Sequence, residues 1–113
     1  MTKLEAISKL VDYTSKYQKQ VVAHFEAEVA LTGVKQALSD AKESVLTSVD
    51  PKELGSNAEI REANLNNRLA TYITAVREAD LKVSTTNMEL TLAKSDVSMM
   101  SRIVDALSSP EVG

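Results

Sequence analysis

Cysteine and tryptophan are missing from this sequence, and histidine occurs once, at position 24. Without cysteine there is no disulfide, no thiol nucleophile and no thiolate metal ligation. A single histidine excludes two-histidine metal motifs. Aromatic residues make up 4% of the chain, one Phe and three Tyr, although 43% of it is hydrophobic. Any core must therefore be built from Leu, Val, Ile, Ala and Met, a palette that suits helices packed side by side. A large excess of charge of one sign is also lacking. Thirteen Lys and Arg stand against sixteen Asp and Glu, and no basic block or tail occurs, so nucleic-acid binding through broad charge neutralisation is disfavoured. Long apolar runs are absent, so no segment is expected to span a membrane, and "MTKLEAISKL" lacks the apolar stretch of a signal peptide. The expected location is the cytoplasm. There is no GxxxxGK[ST], GxGxxG or GxSxG motif, so the chain is expected not to be an enzyme and to need no cofactor.

What is present is periodicity. From Leu69 onward every seventh residue is apolar, through Val76, Val83, Leu90, Val97 and Val104. Leu65, Tyr72, Ala79, Thr86, Ala93, Met100 and Leu107 fall between them. A 3-4 spacing held over about six heptads indicates a coiled-coil seam. The first half repeats it with Leu10, Tyr17, His24, Leu31, Leu38 and Val45, interleaved by Tyr13, Gln20, Ala27, Val34, Ala41 and Ser48. If the chain reverses near residue 53, residues that meet should have position numbers adding to a constant. Leu10 with Val97, Tyr17 with Leu90, Leu31 with Val76 and Leu38 with Leu69 all add to 107. The expected fold is all-α, a long antiparallel two-helix coiled-coil hairpin in a single domain, 1–113. Helix 1 covers about 3–48, a corner 49–57 and helix 2 about 58–108, followed by a short tail. Each helix of this length extends roughly 70 Å, a rod rather than a globule.

Local signals place the ends. Thr2 and Glu5 form a capping box. Pro110 restricts Ser109 and stops the second helix. In the corner, Asp50, Pro51 and Glu53 read as N-cap, N1 proline and acidic N3 residue of a short helical turn. Gly55 supplies a left-handed stop, and Ser56 with Glu59 a second capping box. Gly33 is the one candidate break in helix 1, where a fold-back would give a monomeric three-helix bundle. The ladder runs on through it, which favours a continuous helix.

Apolar residues remain outside the seam: Leu4, Ile7, Val11, Val21, Val22, Phe25 and Val29 in the first helix, and Leu81, Met88, Leu92, Met99 and Ile103 in the second. Both sets gather in the half away from the corner, more than one partner helix can cover. The expected remedy is self-association, with two hairpins making a four-helix-bundle-like homodimer ahead of a trimer or tetramer. The interface is assigned to Leu4, Ile7, Val11, Val21, Val22, Phe25, Leu92, Met99 and Ile103.

His24 falls in the seam opposite Val83, where a polar residue sets register at a cost in stability; a pH-sensitive contact at an oligomer interface is the sharper reading. Glu26 with Glu28, Glu59 with Glu62, and Glu78 with Asp80 read as solvated helix faces, since no ExxH motif accompanies them. Lys35, Lys42, Arg61 and Arg68 in the corner half offer a contact for an acidic partner or a phosphate backbone, or serve as ordinary flanking charges.

Leu54, Gly55, Asn57, Arg61, Glu62 and Ala63, within "LGSNAEIREANL" and followed by a heptad-bearing helix, resemble a pattern in small coiled-coil accessory proteins encoded by bacteriophages and prophages. The likeness spans roughly residues 54–107. It implies a phage or prophage accessory protein without enzymatic activity, associated with replication and recombination genes, in the bacterial host cytoplasm. It also raises Asn57 and Arg61 as partner contacts. The leading expectation is a non-enzymatic oligomerisation and protein-interaction module with an unidentified protein partner. The alternatives are a nucleic-acid-associated accessory factor and an inhibitor of a host protein.

Overall fold

A computed structural model describes residues 1–109; Pro110, the expected stop of the second helix, lies outside the described residues. The fold is all-α, a helical hairpin in which α1 (Lys3–Ser48) packs against α4 (Ala70–Ser108). The corner between them contains α2 (Pro51–Leu54) and α3 (Ala58–Arg68). The chain falls into two compact units. One comprises Met1–Glu26 and Ser84–Gly113, the other Ala27–Val83. α1 is unbroken at Gly33, whose Cα has open space where a side chain would be.

In the unit that carries the N-terminus, the 3-4 ladder is the covered face. Ala6, Ala93 and Met100 are buried, while Leu10, Tyr13, Tyr17, Gln20, Leu90, Val97 and Val104 are half-buried. Alanines let the two backbones approach, and the longer residues between them fill the remaining space. The Thr2 hydroxyl caps α1 by accepting the Glu5 N–H at 3.1 Å. The middle of the seam is polar. His24 Nδ1 and Thr86 Oγ1 are 3.0 Å apart, and Thr86 is only 2% exposed. The heptad register sets His24 opposite Val83, yet its ring bonds one ladder step further along α4. The reason is hydrogen bonding, since a buried imidazole nitrogen facing only the valine side chain would be left unsatisfied. Gln20 Oε1, also in this seam, is buried without a hydrogen-bond partner.

In the other unit Ala27, Leu31, Val34, Leu38, Ala41 and Val45 follow the expected ladder, with Leu65, Leu69, Val76, Ala79 and Val83 from the returning chain. Three ladder positions of the chain depart from expectation. Tyr72 is exposed. Ser48 is exposed and Val49, just past α1, is half-buried instead. Leu107, in the last turn of α4, lies beyond the start of α1 and is also exposed.

The second helix is not continuous from 58 to 108 as expected. It breaks at Leu69, whose backbone (φ −100°, ψ 7°) lies in the sparsely allowed bridge region. The Leu69 N–H is shared between the carbonyls of Leu65 at 3.1 Å and Asn66 at 3.2 Å. Asn66 and Asn67 precede it, and asparagine competes for backbone hydrogen bonds in non-helical conformations. Leu69 is held there by burial, being 3% exposed.

The corner is built residue by residue. Asp50 adopts an extended conformation (φ −62°, ψ 131°) and its Oδ1 accepts the Lys52 N–H at 3.0 Å, with Pro51 at the first helical position. This is the expected helical turn. Leu54 is buried at its end, and its carbonyl accepts a hydrogen bond from Asn64 Nδ2 on α3, the helix against which α2 packs. Gly55 has positive φ, as expected, but it is extended (φ 148°, ψ 170°) rather than left-handed helical. That region is accessible essentially only to glycine. The second cap also differs: Asn57, not Ser56, precedes α3, and its Oδ1 accepts the Ile60 N–H at 2.9 Å. An amide oxygen on Asn57 reaches the third amide of the helix directly, which leaves Ser56 in the turn.

Candidate interaction surface

The surplus apolar residues are uncovered. Leu4, Val11 and Phe25 are 80%, 61% and 64% exposed, and Ile7, Val21, Val22, Leu92 and Met99 are also exposed. Ile103 alone of the assigned interface is half-covered. Val29, Leu81 and Met88, outside that assignment, are exposed as well.

On α1 all of these except Val22 and Val29, which stand in the next row, belong to a second ladder beside the seam: Leu4, Ile7, Val11, Thr14, Gln18, Val21 and Phe25, again spaced by three and four. Thr14 and Gln18 complete that row. A count of apolar residues alone passes over them; the signal is the spacing itself. The stripe borders a shallow groove formed by Leu10, Val11, Thr14, Ser15 and Gln18.

The α4 surplus faces elsewhere. Leu92 lines a separate groove with Ala93, Glu89 and Asp96 of α4 and Lys16 and Gln20 of α1. Lys16 directly precedes a seam residue of α1, Tyr17, whereas Ile7, Thr14 and Val21 directly follow seam residues. Successive residues are about 100° of helix rotation apart, so Lys16 and the α1 stripe occupy opposite flanks of α1. The two surpluses consequently point to opposite sides of the helix pair, and one flat contact covers one of them.

The corner candidates separate. Asn57 is occupied as the α3 cap. Lys35, Lys42 and Arg68 are exposed and Arg61 is half-buried. The Arg61 N–H bonds Asn57 O at 3.0 Å, and its backbone nitrogen would lie 3.2 Å from a Cβ placed on Gly55. This close packing explains the glycine at position 55 and involves only the main chain of Arg61. Glu26, Glu28, Glu59, Glu62, Glu78 and Asp80 are all exposed. Among the described residues no group of three or more His, Asp or Glu could hold a metal ion. Nor is any helix among them long and apolar enough to cross a membrane.

No family model, no curated protein and no solved structure matches this chain. The surface itself must therefore carry the functional reading, and its dominant property is apolar area next to the seam that the chain leaves in water.

Proposed function

We propose that this protein is a non-enzymatic helical module that self-associates through the surplus apolar surface of its N-terminal unit, bringing four helices together in a homodimer. The phage-type resemblance supports the role of a phage or prophage accessory protein acting in the bacterial cytoplasm and presenting its remaining faces to a protein partner. The observation that carries this reading is the exposure of Leu4, Val11, Val21, Val22 and Phe25 along one helix. An uncovered row of this kind is costly in water and is characteristic of a surface that meets another polypeptide. A two-helix seam buries little: the largest well-buried side chains of the N-terminal unit are Met100 and Thr86. Association supplies the burial that one short chain lacks.

Size-exclusion chromatography with light scattering tests the proposal. The expected result is more than one chain per particle at micromolar concentration. Phe25→Asp and Val21→Asp should each return the mass to one chain while most of the helical circular dichroism remains. A one-chain mass for the unsubstituted protein would overturn the reading.

A further inference from the structure

We infer that the α1 stripe mates with the α1 stripe of a second copy, the two helices running antiparallel about a two-fold axis beside Thr14 and Gln18. This rests on the self-association reading and specifies its face and direction. An isologous contact requires a patch that is complementary to itself, and this row is. In the antiparallel alignment Ile7 meets Phe25 of the second copy, Val11 meets Val21, and Thr14 meets Gln18, each contact occurring twice by symmetry. From Ile7 to Phe25 every apolar residue of the row meets an apolar one, and the two polar residues meet each other. The Thr14 hydroxyl donates to the Leu10 carbonyl at 2.7 Å within its own helix, so its oxygen accepts from the Gln18 amide of the copy.

Other registers fail on the same residues. Sliding by one heptad sets Gln18 against Ile7 or Val21, burying an amide without a partner. Hydrogen bonding selects the direction. Antiparallel packing gives each Thr14 oxygen a Gln18 amide, whereas parallel packing sets two Thr14 oxygens against each other, both hydroxyls already donating to Leu10. Ile7, Val11, Val21 and Phe25 are 37%, 61%, 42% and 64% exposed, apolar area that the second copy covers.

The absence of cysteine makes the test clean. Val11→Cys and Val21→Cys chains, both altered at exposed sites, are refolded separately and as a mixture, then oxidised mildly. The mixture should give a disulfide dimer joining position 11 of one chain to position 21 of the other, identified by peptide mapping, at least tenfold in excess of any dimer from either variant alone. Predominant dimers linked through position 11 in both chains, or through position 21 in both, would overturn the antiparallel contact. A two-chain particle by light scattering that yields no disulfide in the mixture would overturn the α1 contact and leave self-association through another face standing. A one-chain particle throughout would overturn both.

Discussion

At the residue scale the corner shows why single positions are occupied as they are. Asp50 and Asn57 each satisfy an orphan amide of the helix that follows, Pro51 occupies a first-turn position that needs no N–H, and Asn64 satisfies the Leu54 carbonyl. Gly55 is the most constrained. Its φ of 148° excludes side chains, and an added Cβ would collide with Ile60, lying 3.0 Å from Ile60 Cβ and closer still to Ile60 Cγ2. Gly55→Ala should therefore destabilise the protein by about 1–3 kcal/mol, read as a lowered midpoint in urea unfolding. An unchanged midpoint would mean that the corner relaxes at no cost. The helical turn at Pro51 is legible from residue types alone, because caps and first-turn prolines act over three or four residues. The choice of Asn57 over Ser56 is not, since both are good caps and the path of the chain selects between them.

At the element scale α1 has one weak point in its interior, and the returning chain has one between α3 and α4. Gly33 sits in the interior of a 46-residue helix with nothing within 4 Å of its missing side chain. Gly33→Ala should stabilise the protein by about 1 kcal/mol, since alanine removes the backbone entropy that glycine loses on folding. Thermal unfolding followed by circular dichroism checks this, and a lowered Tm would contradict the open surroundings of the site. The break at Leu69 is the other case. Heptad spacing runs through it undisturbed, so periodicity predicts one helix, yet two asparagines and a shared hydrogen bond interrupt the backbone there. Periodicity reports which face is covered, not whether every i to i+4 bond is made. The pairing of His24 with Thr86 illustrates the same limit: the ladders show that the two helices pair, but the position at which their polar groups meet depends on hydrogen-bond geometry.

At the scale of the whole molecule, the chain carries near-balanced charge, no buried large aromatic residue and an apolar stripe left in water. Such a protein gains stability from its own copies. Its Tm should rise as protein concentration is raised about a hundredfold, because an associated folded state is favoured by mass action. A Tm independent of concentration would indicate that folding and association are uncoupled. The stripe is visible in the sequence as apolar residues left over from the seam. Its continuity through Thr14 and Gln18, and the opposite aspects of the α1 and α4 surpluses, become visible only with the covered face of each helix in place.

Helical class, the seam and the surplus surface follow from residue order alone, because 3-4 spacing and capping are local consequences of helix geometry. The break at Leu69, the extended conformation of Gly55, the cap at Asn57 and the meeting of His24 with Thr86 depend on the packed chain. Each is a choice among locally similar options: hydrogen bonds and close packing within the corner, with the burial of Leu69, make the first three, and a contact between residues distant in sequence makes the last.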